Sequence, residues 1–169
     1  LKLNSRPANV TMQQVCAAVG QSILMSKYHS FFGRHGIKVA QILITYDAFS
    51  DKRTFKNFRS SLNKLLALWV VPIINENDPI SIDEIGPSFG DNDNLSALIA
   101  SKMKADLLVI LTDVDGLYTK NPNNKGAVLI KEVANFDRKI EAINGTSSKL
   151  GIGGIQTKIK AAKTATSAG

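Results

Sequence analysis

The stretch IKVAQILITYDAFSDKRTFKNFRSSLNKLLALWVVPII, Ile37–Ile74, decides the fold class. Ile37–Thr45 reads as a strand. Phe55, Phe58, Leu62, Leu65, Leu66 and Trp69 then recur at helical spacing and predict an amphipathic helix with one apolar face. Val70–Ile74 follows as a short buried strand. Strand, helix and strand in this order predict parallel pairing and an α/β layer fold.

The same alternation continues on both sides. Upstream, Thr11 and Gln14 fit a capping box, T-x-x-Q, at the start of a helix. Met12, Val15, Val19 and Ile23 supply its apolar stripe, and Gly33 and Gly36 punctuate its end. Downstream, Leu95, Leu98, Ile99 and Met103 mark another helix. Leu107–Leu111, LLVIL, is apolar throughout, as a strand covered on both faces would be. Val128–Ile130 is a weaker strand, Phe136–Ile143 a short helix, and Ile155–Ser167 a closing helix. Asn121–Gly126, NPNNKG, reads as a turn inside the domain.

Composition narrows the function classes. The chain has 169 residues, 44% hydrophobic and 21% charged, which is the profile of one globular domain and not of a disordered chain. The longest apolar run, Leu65–Ile74, is too short to span a bilayer and is broken by Pro72. No charged region followed by an apolar one opens the sequence, so no signal peptide is expected. Cys16 stands alone, which predicts a reducing compartment. One cysteine with His29 and His35 cannot build a typical structural zinc site. Both histidines read as surface residues and Cys16 as core filling. The sequons at Asn9 and Asn144 read as chance matches. The net charge of +7 suits an anionic partner, although a solvated basic surface is the better explanation. The aromatics are few and tied to helical spacing, which argues against a base-stacking platform for nucleic acid.

Ligands of open parallel sheets bind at the carboxyl ends of strands. The first strand here ends in Thr45-Tyr46-Asp47, the second in Asn75-Glu76-Asn77-Asp78, the third in Thr112-Asp113-Val114-Asp115-Gly116. All carry acids or amides on what the fold places at one edge. Gly90-Asp91-Asn92-Asp93-Asn94 leads directly into a helix. One such residue would be only a cap, and four exceed what capping needs. The surplus can orient an amino group, a lysine or a metal ion. An EF-hand is excluded, because Leu95 or Ser96 stands where that loop needs glycine. Gly151-Ile152-Gly153-Gly154-Ile155-Gln156-Thr157-Lys158 also runs into a helix. Its glycines let backbone N–H groups approach phosphate, and Lys158 adds a point charge. It is not a Walker loop, since no glycine precedes Lys158, nor a dinucleotide fingerprint, since Gln156 replaces the last glycine.

Together these strings resemble a known family. VVPIINENDPI (Val70–Ile80), FGDNDNLSALIA (Phe89–Ala100), LLVILTDVDGLYTKNP (Leu107–Pro122), GIGGIQTKIKAA (Gly151–Ala162) and VCAAVGQSILM (Val15–Met25) are similar to segments of the glutamate 5-kinases, a branch of the amino-acid kinase superfamily. The resemblance implies a three-layer αβα sandwich with a mostly parallel sheet. It implies ATP-dependent phosphorylation of the γ-carboxylate of L-glutamate, with Mg²⁺, in a cytoplasmic homo-oligomer open to feedback by proline, the end product of that route. Independently of the resemblance, the apolar runs are too short for a membrane partner, and a basic nucleic-acid-binding domain, suggested only by charge, ranks last because no such motif is visible. By position, Asn75, Asp78, Asp91 and Asn92 would bind glutamate. Asp93 would hold the catalytic lysines, and Lys158 would stabilise charge on the transferring group. Thr112, Asp113 and the run Ile152, Gly153, Gly154, Ile155, Gln156, Thr157 and Lys158 would contact the nucleotide. No residue is assigned to metal.

The family pattern also places a lysine-bearing first strand and a second strand ending in Ser-Gly-Ala before the helix at Val15–Met25, and closing strands after Gly169. The expectation is therefore a single amino-acid kinase domain over 1–169, incomplete at both ends. The competing reading is a non-catalytic amino-acid-binding or oligomerisation module of the same fold.

Overall fold

The computed structural model describes residue 3 and residues 5–80, 92–143 and 154–169. The chain forms two compact units, Leu1–Phe89 and Gly90–Gly169.

In the first unit, helix α1 (Val10–Gly33) leads through Gly36 into strand β1 (Lys38–Ile44). Gly36 has φ +70°, a left-handed conformation that glycine adopts without strain. A single 3-10 turn at Tyr46–Phe49 and helix α2 (Lys52–Ala67) follow, and then strand β2 (Val70–Glu76). β1 and β2 pair in parallel, in register from Lys38 opposite Val70 to Ile44 opposite Glu76. The strand–helix–strand reading of Ile37–Ile74 is thus the core of this unit. Asn77 N donates to the Ile44 carbonyl at 2.9 Å and carries the ladder one residue further.

Packing explains most of this order. Phe58 and Leu62 are the buried residues of α2, four apart on one face. Phe49, Phe55 and Phe58 form a ring cluster with centroids 6.0–6.1 Å apart, which ties the 3-10 turn to α2. The predicted face runs out before its end, because Leu66 is exposed and Trp69 is 90% exposed. Trp69 is the residue that turns the chain from α2 into β2, at φ +56°, and the turn throws its side chain off the core.

α1 begins at Val10, one residue before the predicted capping box. Asn9 is its cap, its Oδ1 accepting from Met12 N at 3.0 Å. The predicted stripe is also displaced: Val15, Val19 and Ile23 are exposed. The covered face runs through Gln14, Ala17, Gln21, Met25, Tyr28 and Phe32, at the same helical spacing but rotated. Hydropathy pointed to the wrong face because two glutamines lie on the right one. His29 and His35 are exposed, and Cys16 is a half-buried free thiol.

In the second unit, helices α3 (Asn92–Met103) and α5 (Ile155–Thr166) pack along each other. Leu95 and Ala97 of α3, and Ile159 and Ala161 of α5, are buried, both alanines completely. A small side chain on each helix permits close approach. Strands β3 (Leu117–Tyr118) and β4 (Leu129–Ile130) form an antiparallel hairpin, and the NPNNKG turn lies within its loop. The hairpin's first strand had no signal in the sequence. Helix α4 (Arg138–Glu141) is shorter than predicted and is capped by Asp137, which accepts from Lys139 N and Ile140 N.

Leu107–Leu111 is not a strand. A strand exists only with a partner, and no described residue offers this segment a ladder. Its exposure still alternates: Leu107, Val109 and Leu111 are exposed, while Leu108 and Ile110 are half-buried. The architecture is α/β, with one parallel pair and one separate antiparallel hairpin.

Candidate active site

The clearest chemical cluster lies in the second unit, where the first turns of α3 and α5 meet. Asp93 sits in the first turn of α3. Thr157 and Lys158 sit in the first turn of α5, after the cap residue Gly154. Lys158 Nζ lies 2.8 Å from Asp93 Oδ2, and Thr157 Oγ1 lies 3.0 Å from the same oxygen. Lys158 and Asp93 keep side-chain exposures of 24% and 17%, so the pair is mostly covered while one side stays open to a ligand. Thr157 Oγ1 is also 2.8 Å from the Gly154 carbonyl. A hydroxyl has one proton, so the two acceptors already occupy it.

The site's electrostatics follow from the backbone. The first N–H groups of a helix have no intrahelical acceptor and carry the positive end of the dipole. Two helices present those ends side by side here. Lys158 adds a full positive charge, and Asp93 spends one carboxylate oxygen to fix it. An ammonium has three donors, so two remain for an incoming anion.

Asn92 is exposed beside Asp93. Gly154, Ile155 and Gln156 form the entry to α5, and the Gln156 side chain donates to the Ile143 carbonyl, anchoring that entry to the end of α4. Thr112 and Asp113 are exposed and touch each other at 3.4 Å, a weak contact. Asp91, Ile152 and Gly153 lie outside the described residues. Lys160 and Lys163 are exposed, as a solvated face requires.

Asn75 and Asp78 belong to the first unit. They stand at the carboxyl end of β2, beside the carboxyl end of β1, as the parallel register dictates. Asn75 Nδ2 donates to Gln21 Oε1 of α1 at 3.0 Å. Asp78 is half-buried in the turn that follows, where Ile80 N donates to the Asn77 carbonyl. The sequence reading missed Gln21. Its only signal was a glutamine inside a largely apolar helical run, VGQSILM. Among the described residues no three His, Cys, Asp or Glu side chains come close enough to hold a metal ion.

The sequence profile of the amino acid kinase family matches residues 1–169. The chain belongs to the amino acid kinase family. Within that family it is similar to several glutamate 5-kinases. It is 51% identical to the glutamate 5-kinase of Methanosarcina barkeri over 100% of this chain and 45% of that protein. It is 49% identical to the glutamate 5-kinase of Methanococcoides burtonii over 96% of this chain and 44% of that protein. It is 47% identical to the glutamate 5-kinase of Clostridium acetobutylicum, where the match takes in all of this chain and 63% of the relative. This amino acid kinase chain thus spans about half the length of the curated relatives it matches.

Proposed function

We propose that this chain is part of a glutamate 5-kinase, which phosphorylates the γ-carboxylate of L-glutamate with ATP to give glutamyl 5-phosphate, the first step toward proline. The observation that carries this reading is the meeting of Asp93, Thr157 and Lys158 at two adjoining helix starts. In this reading the two compact units are parts of one amino-acid kinase domain.

The chemistry suits the residues. A γ-carboxylate oxygen attacks the terminal phosphorus of ATP, the bond from that phosphorus to the bridging oxygen breaks, and its electrons leave on ADP. The carboxylate is already ionised at neutral pH, so no proton is removed and no general base is needed. Two anions must meet, and charge spreads over the phosphoryl oxygens in the transition state. Positioning and positive charge therefore supply most of the catalysis. Lys158 supplies the charge, Asp93 the position, and the first N–H groups of α5 a cradle for phosphate. Asn75, Asp78, Asp91 and Asn92 are the proposed glutamate contacts, with Thr112 and Asp113 near the nucleotide. Mg²⁺, when bound, neutralises phosphate charge, and it leans mainly on phosphate oxygens and water.

No described helix is long and apolar enough to cross a membrane, which fits a cytoplasmic enzyme. The exposed apolar side chains of α1 fit a homo-oligomer, and proline is the proposed feedback ligand.

The test is glutamate-dependent ADP release in the full-length protein. Lys158→Ala is expected to lower kcat by about 10²–10³, as loss of a transition-state charge partner does. L-Glutamate should still raise the unfolding temperature of that variant. Unchanged turnover would overturn the role of Lys158. A wild type that never turns over glutamate, and gains no thermal stability from it, would favour the non-catalytic module.

A further inference from the structure

We infer that Gln21 is a positioning residue for Asn75, holding the asparagine amide in the orientation in which it meets the acyl-acceptor substrate; this rests on the glutamate-kinase reading above. Three observations converge on Gln21. It lies on the covered face of α1, between Ala17 and Met25, where packing alone calls for an apolar side chain. Its Oε1 accepts from Asn75 Nδ2 at 3.0 Å, across 54 residues of sequence. Its Nε2 is shut off from solvent and has no hydrogen-bond partner among the described residues.

An amide with one end satisfied and the other buried without a partner costs stability that leucine or methionine at the same place would not. The return on that cost is control of Asn75. An asparagine amide is a flat group with a donor end and an acceptor end, and it rotates about its last bond unless something pins it. Gln21 takes one of the two N–H donors of Asn75 and so fixes which way the amide plane and its two ends face. Asn75 keeps its Oδ1 acceptor and one N–H in that set orientation, for the α-ammonium and a carboxylate of L-glutamate respectively. Gln21 therefore acts on the substrate through the orientation of Asn75.

The experiment is steady-state kinetics on the full-length protein with Gln21→Met, Asn75→Ala and the double variant. Gln21→Met keeps length and removes the acceptor. It is expected to raise KM for L-glutamate about three- to tenfold, the size of one neutral hydrogen bond. kcat and the KM for ATP should stay within about twofold of wild type. In the Asn75→Ala background Gln21→Met should add nothing, because a residue acting through another is silent once that other is gone. Gln21→Asn, which keeps the amide but withdraws it by one methylene, should match Gln21→Met and serves if the latter folds poorly. Additive effects in the double variant, or an unchanged KM with only a lowered melting temperature, would overturn the positioning role. A wild-type protein that consumes no ATP with L-glutamate overturns the kinase reading and this inference with it, whereas an active wild type with either of those results overturns the inference alone.

Discussion

One carboxylate oxygen, Asp93 Oδ2, receives both Lys158 and Thr157, so the charge of this site is set by a single atom. Another aspartate shows how local such control is. Asp51 caps α2, accepting from Thr54 N at 2.7 Å. The Thr54 side chain first, and then its backbone N–H, hold the Asp51 carboxyl below its ordinary range. A depressed carboxylate adds stability that is whole above its unfolded pKa and is lost as pH falls through the folded value. Acid should therefore weaken α2 below the ordinary carboxylate range. Asn caps helices without titrating, so Asp51→Asn should flatten that acid limb. Circular dichroism melts of both proteins from neutral pH into acid will show the gap between them closing as pH falls; a constant gap would contradict the assignment.

At the scale of elements, Trp69 is the instructive case. Its backbone is left-handed, which costs a bulky residue about 1–2 kcal/mol, and its exposed ring recovers little of that by burial. Trp69→Asn, which tolerates this conformation, should stabilise the 169-residue chain by about 1 kcal/mol in urea unfolding. A loss of stability would mean that the ring packs more than its exposure shows. The sequence showed a helix here and a strand after it, and both are present. It did not show where the helix's covered face would stop, because Leu66 and Trp69 fit the period as well as Phe58 and Leu62 do. α1 repeats the lesson. Its existence was legible, but its cap and covered face were not. Asn9 read as a stray sequon, Gln14 as part of a capping box begun at Thr11, and Gln21 carried no reading at all. In the site, Asp93 and Lys158 were legible from GDNDN and the glycine-lysine segment, each beside a helix start. The bond from Thr157 to Asp93 was not, since it joins residues 64 apart and depends on two helices packing side by side.

At the scale of the molecule, Leu107–Leu111 matters most. The composition of LLVIL predicted a covered strand, and the structure gives a segment of alternating exposure with no ladder partner among the described residues. Apolar composition says that a segment wants covering and does not say what covers it. Five consecutive apolar residues without a charge or a proline are the kind of stretch that stacks with its own copies. Val109→Lys should slow light-scattering growth of the concentrated 169-residue chain several-fold and leave its far-ultraviolet spectrum unchanged. Equal growth in both proteins would show that another surface drives it. The consequence reaches beyond the test tube. In a cell, quality control reads such a stretch before any substrate does, so the lifetime of this polypeptide will follow how soon those residues are hidden.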